Sequence, residues 1–127
     1  MVLVDTSVWI RFFRGQQPFL REMDRLLADD KVVRHELVYG ELLIGDSGGR
    51  GRFLEVYGQM RECKRIPHEE VVTLVRNHRL HGLGAGWIDI HLLASALVSG
   101  VFLWTADTNF RAIGEQFGVD YRPTGGR

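Results

Sequence analysis

Cysteine is almost absent from this chain. Cys63 is the only one, so no disulfide can close within it and no CxxC pair exists to bind a metal or carry thiol redox chemistry. A reducing cytoplasm is the compartment this favours. Long apolar runs are also missing, and none approaches the length of a membrane span. The first apolar residues are interrupted by Asp5, with neither the basic region nor the small-residue cleavage site of an export signal, so neither export nor membrane insertion is expected. Charge of one sign is lacking: 16 Lys and Arg balance 16 Asp and Glu, so the chain has none of the bulk positive charge typical of many nucleic-acid binders. Lysine itself is scarce. Only Lys31 and Lys64 are lysines and the other 14 basic residues are arginines; arginine is the better bidentate phosphate ligand, although genomic base composition produces the same skew.

What is present describes an ordinary globular protein, 45% hydrophobic and 25% charged with 3 prolines. The 127 residues suffice for one sizeable core and are too few for two, so a single domain over 1–127 is expected. Periodicity gives its elements. Residues 2–4 read as a short strand running into a helix with Val8, Trp9, Phe12 and Phe13 at helical spacing, Thr6 and Ser7 being good N-cap types. Pro18 suits the first turn of a second helix carrying Leu20, Met23, Leu26 and Leu27. Residues 31–33 are extended, and 36–44 form a helix stopped by Gly45. Further helices are expected over about 52–60, 69–80, 88–97 and 110–117, with strands at 64–66, 101–104 and 119–121. Strands alternating with helices predict an α/β fold, a three-layer sandwich with a short parallel sheet flanked by helices. The ending Gly125, Gly126, Arg127 is expected to be loose.

Two glycine-rich stretches are tested as phosphate loops. Gly82, Gly84 and Gly86 follow a helix rather than a strand, which removes the strand-to-helix turn that a dinucleotide fingerprint needs. The stretch 45–52 lacks the Lys-Ser/Thr ending of a P-loop and reads as a connection.

Four carboxylates are more informative. At the carboxyl ends of parallel strands lies the usual ligand crevice, and Asp5 and Asp107 both follow strands there. Each alone is equally well a helix cap or turn residue. Glu41 sits among Leu37, Val38, Leu42, Leu43 and Ile44, where an unpartnered charge is expensive to bury. Asp89 falls in the first turn of its helix, where the macrodipole already favours a negative charge. Together, with no basic residue adjacent in sequence to any of them, the four repel one another unless a cation sits among them. Hard oxygen ligands with spare water positions suit Mg²⁺ or Mn²⁺ beside a substrate phosphate.

The stretches LVDTSVWI, the Glu before LLIG, GWIDIHLLASA and LWTADTNF resemble, in order and spacing over nearly the whole chain, the motifs of PIN-domain ribonucleases, especially VapC toxins of VapBC toxin–antitoxin pairs. That resemblance implies a PIN-like fold. Asp5, Glu41, Asp89 and Asp107 match its acidic metal-binding quartet, and Thr6, Ser7 and Thr105 match its supporting hydroxyl positions. Ala106 and Thr108 stand where relatives often carry basic residues. The implied activity is Mg²⁺-dependent (or Mn²⁺-dependent) endoribonuclease cleavage of single-stranded or loop RNA by activated water, with Asp5, Glu41, Asp89, Asp107 and Thr105 as the catalytic set. The implied partners are RNA, a small cognate antitoxin and a second copy of the chain as a homodimer. The alternatives are a PIN-type nuclease of RNA processing or DNA flaps and a non-catalytic PIN-like binding module; no acid of the quartet is lost, as a degenerate module would be expected to show. A haloacid-dehalogenase phosphatase also begins with a strand ending in Asp, but it needs a second Asp where this chain has Ser7.

Trp9, Phe12, Trp87 and Phe110 lie near these motifs and suit either the core or base stacking. His78 and His81 lack the third ligand of a zinc site. His91, two residues after Asp89, is the histidine best placed for a rim contact to RNA.

Overall fold

The computed structural model describes residues 1–123, so the expectation for Gly125 to Arg127 lies outside the described residues. The chain folds as β1 (Val2–Val4), α1 (Thr6–Phe13), α2 (Phe19–Ala28), β2 (Val32–Val33), α3 (Glu36–Ile44), α4 (Gly51–Gly58), α5 (His68–His78), α6 (Trp87–Ser99), β3 (Phe102–Trp104) and α7 (Thr108–Gln116). The sheet has the order β2-β1-β3 and is parallel throughout. Every residue of β1 is buried, as expected of a central strand covered by helices on both faces. Val2, Leu3 and Val4 stand in register with Phe102, Leu103 and Trp104. The carboxyl ends of β1 and β3 therefore open at the same edge of the sheet.

Of two expected edge strands, 64–66 does not form and 119–121 shrinks to a single bridge. At the β2 edge the ladder contains only Arg34 paired with Glu62. It stops before 64–66 because the Lys64 amide donates to Ser99 Oγ instead of to a strand, and Pro67 has no amide to offer. At the other edge the 119–121 segment exchanges two bonds with Leu103 alone, Leu103 N to Val119 O and Tyr121 N to Leu103 O. The three-residue β3 offers too short an edge for more. Helix starts differ in detail as well: Asp5 and Pro18, not Thr6, Ser7 or a first-turn proline, occupy the N-cap positions of α1 and α2. No helix among the described residues is long and apolar enough to cross a membrane.

The core is one continuous cluster in which Leu3, Trp9, Tyr57, Leu92, Leu103 and Phe110 are fully buried or nearly so. Trp9 packs edge-on against Tyr57 at 5.6 Å and at a tilt against Phe53 at 5.0 Å. Of the aromatic residues suited to stacking, Trp9 and Phe110 thus belong to the core, whereas Trp87 stays 43% exposed. His91 meets its ring edgewise, and His78 packs on Phe117.

A buried polar knot, not anticipated from the sequence, sets α3 in place. His35 is 1% exposed; its Nδ1 accepts the Leu37 amide at 3.0 Å, capping α3. Its Nε2 therefore carries the proton and donates to Ser95 Oγ of α6 at 2.9 Å, while its own amide donates to the Tyr57 hydroxyl of α4. Burial holds the His35 imidazole below its ordinary 6.5. A group with a lowered folded pKa contributes stability that is present above the unfolded value and is lost as the pH falls through the folded one. His35→Ala is expected to cost about 2–3 kcal/mol in urea denaturation at pH 7.5, for the lost cap and two unsatisfied buried groups. The gap to wild type should narrow below pH 6, because the alanine variant has no imidazole to charge.

Candidate active site

Chain direction alone brings two acids together. The Asp5 amide donates to Trp104 O at 2.9 Å, extending the β1–β3 ladder one step past the strands. Directly beyond β3 lie Thr105, Ala106 and Asp107. Three hydroxyls then organise this edge. Asp5 is 6% exposed, and its Oδ2 accepts from Ser7 Oγ and from Thr105 Oγ1, each at 2.8 Å. Ser7 Oγ also accepts the Ala106 amide at 3.0 Å, and Thr105 Oγ1 accepts the Asp107 amide at 3.1 Å. The start of α1 is thereby laced to the turn between β3 and α7, and the Asp5 carboxylate cannot rotate without breaking the lace.

The helix acids are positioned in the same way. Thr6 Oγ1, in the first turn of α1, donates to Glu41 Oε1 at 2.7 Å and so draws α3 to this edge. Glu41 is half-buried, but its surroundings are less apolar than the sequence suggests, because Leu43 and Ile44 turn outward, 51% and 90% exposed. Asp89 Oδ2 accepts the Gly86 amide at 2.9 Å at the start of α6. Asp107 caps α7, with Oδ1 accepting the Phe110 amide at 2.9 Å.

Each acid thus spends one oxygen on a donor from the protein. For Asp5, Glu41, Asp89 and Asp107 alike, the other oxygen accepts no hydrogen bond from the described residues, and none of the four is in an ion pair among them. The helix-capping reading and the ligand reading are therefore compatible, one oxygen serving each. The Asp89 carboxyl is pushed up to about 6, first by burial and then by the charges of Asp5, Asp107 and Glu41, against the Gly86 amide that lowers it. The charges of all three other members of the predicted quartet act on Asp89. They repel as they stand: among the described residues, no three acidic, imidazole or thiol groups are arranged to hold a metal ion by themselves. Thr105 is 2% exposed and its hydroxyl is occupied by Asp5, the Asp107 amide and Ser7 Oγ at 3.3 Å, so it positions Asp5 and Asp107 and does not face a ligand.

Comparison with known proteins follows the same outline. Residues 2–116 match the PIN domain family. Over 120 residues, covering 94% of both chains, the sequence is 41% identical to Ribonuclease VapC32 of two Mycobacterium tuberculosis strains. The crystal structure of PAE2754 from Pyrobaculum aerophilum superposes with a TM-score of 0.56 at 18% identity, over 87% of this chain and 77% of that one, a likeness of fold.

Proposed function

Because this chain belongs to the PIN domain family as a VapC-type member, we propose that it is the toxin endoribonuclease of a type II toxin–antitoxin pair, hydrolysing phosphodiester bonds of single-stranded or loop RNA. The observation that carries this reading is the quartet in which every acid keeps one oxygen free of protein donors. Hard, anionic oxygens without a basic partner fit a divalent cation such as Mg²⁺ or Mn²⁺ better than zinc, which prefers nitrogen and sulfur ligands. Mg²⁺ in particular is usually bound through one or two carboxylates and keeps several waters. Bound by Asp5, Glu41, Asp89 and Asp107, the cation would supply Lewis-acid stabilisation of charge developing on the phosphate and ease deprotonation of water.

The side chains of the protein do the positioning. Ser7 and Thr105 hold the Asp5 carboxylate by one oxygen and leave the other without a donor among the described residues, and Thr6 does the same for Glu41. The Gly86 and Phe110 amides fix Asp89 and Asp107. Such pre-orientation spares the site reorganisation during the reaction. A small antitoxin and a second copy of the chain are the protein partners of this reading, and exposed Leu43, Ile44, Val98 and Phe102 are apolar surface that such contacts would cover.

The direct test is incubation of the purified protein with single-stranded oligoribonucleotides, with Mg²⁺ and with chelator. Cleavage that requires the cation is expected; persistence in chelator would refute the metal site, and no cleavage of any RNA would refute the activity. Thr105→Val, which keeps the shape and removes the hydroxyl's hydrogen bonds, is expected to lower cleavage about 10–100-fold, the usual effect of losing a group that orients a ligand. Thr105→Ser should restore most of it.

A further inference from the structure

Beside Glu41 lies a cavity of about 250 Å³, walled by Thr6, Ile10, Phe13, Arg14, Glu41 and Arg50 among others. We propose that it binds a phosphate of the RNA strand neighbouring the linkage that is cut, with Arg14 and Arg50 as its ligands. The proposal rests on the ribonuclease reading above and deepens it by assigning a strand-binding site.

Thr6 and Glu41, hydrogen-bonded to each other, form part of the cavity wall, so the cavity opens directly on one flank of the acidic site. Its two arginines are available to a ligand. Among the described residues neither is in an ion pair, whereas Arg25, Arg34, Arg65 and Arg122 each have an acidic partner. Arg50 is held in place by a different contact: its guanidinium lies 3.9 Å from the centre of the Phe13 ring, a cation–π arrangement that fixes the group while leaving its N–H donors free for oxygen ligands. Arg14 occupies the C-cap of α1. The other acid on the wall, Asp46, spends one oxygen on its own loop, Oδ1 accepting the Gly48 amide at 3.1 Å.

The turn that delivers Arg50 is the glycine-rich stretch left without a role by the sequence. Gly48 and Gly49 have φ of +112° and +103°, conformations that other residues rarely adopt, and the reversal they make sets Arg50 at the entry to α4. That helix has no acid in its first turn and no side-chain cap, so its positive end adds to the arginine charge. A chain with no net charge that must hold a polyanion against four carboxylates needs local cations beside them, and this cavity supplies two. Ile10 and Phe13 give it an apolar side suited to a ribose.

The test uses the full chain in the Asp5→Asn background, which should bind RNA without cutting it, and reads the Kd of a single-stranded oligoribonucleotide by fluorescence anisotropy across salt concentrations. One neutralised phosphate on a single strand corresponds to a salt slope of about 0.7. Replacing both arginines (Arg14→Gln with Arg50→Gln) should flatten the slope by that amount and weaken binding roughly 5-fold at 0.1 M salt. The pair Arg14→Lys with Arg50→Lys should keep most of the slope, which a merely structural role would not predict. A scan with single neutral methylphosphonate linkages should find one position that weakens the arginine-containing protein and leaves the glutamine pair unaffected. Equal slopes for arginine and glutamine proteins, or a defect confined to binding of the antitoxin, would overturn the site. If the wild type cleaves no RNA, it is the ribonuclease reading that has failed.

Discussion

Asp5→Asn is expected to lower RNA cleavage by about a thousandfold or more and to abolish growth arrest on expression without the antitoxin. The substitution is nearly isosteric, and an amide oxygen can still accept from Ser7 and Thr105, the two donors that now share Oδ2. The fold should persist, as circular dichroism and a cooperative melt would show. What changes is the other atom, which becomes an uncharged NH₂ directed at the place where a cation would sit. Loss of a charged ligand at such a centre is worth several kcal/mol of transition-state stabilisation, and about 4 kcal/mol is a factor of a thousand in rate. Thr105→Val, which leaves all four charges in place, should be milder by an order of magnitude or more. Should Asp5→Asn retain near-normal cleavage, the carboxylate has no part in the chemistry. Growth arrest persisting in an Asp5→Asn, Asp107→Asn double variant would show that toxicity is not nucleolytic.

The second large effect concerns stability without and with metal. The Asp89 carboxyl stands at about 6 in the folded protein against an ordinary 3.8. A carboxyl whose folded pKa is raised contributes stability that is full below the unfolded value and is lost as the pH rises through the folded one. Between pH 4 and pH 7.5 the metal-free wild type should therefore lose ground to Asp89→Asn. The relative loss should be about 1 kcal/mol, once solvent screening of a half-exposed group is allowed for. The comparison between the two proteins matters because His35 acts in the opposite direction, and its contribution cancels when both carry it. A divalent cation should reverse the order. At a hundredfold excess over Kd, a ligand of the folded state alone adds about 2.7 kcal/mol, a rise in Tm of about 10 °C for a chain of this size. Asp89→Asn and Asp5→Asn should gain much less. Identical metal titrations of Tm for wild type and both variants would mean that the quartet is not a cation site.

Strand and helix order and the parallel sheet were legible in the sequence because each rests on local pattern. An apolar triplet ending in Asp5, a helix stopped by Gly45 and a first-turn Asp89 need no knowledge of distant contacts, and the order of motifs carries the family resemblance. Tertiary structure alone decided the rest. Whether residues 64–66 and 119–121 become strands depends on how much edge β2 and β3 leave for pairing, and on Ser99 taking the Lys64 amide, neither of which is a property of those segments. Glu41 sits among apolar neighbours in sequence, but two of them face outward, and its partner Thr6 lies 35 residues away. His35 gave no local signal as a cap, because its role requires Ser95 and Tyr57 from two other helices. The raised Asp89 carboxyl is likewise a collective property: burial and three distant charges produce it. Local sequence determines which groups are present and which element carries them; the long-range packing of those elements determines which charges meet, and interactions between charges depend on distance in space rather than on separation along the chain.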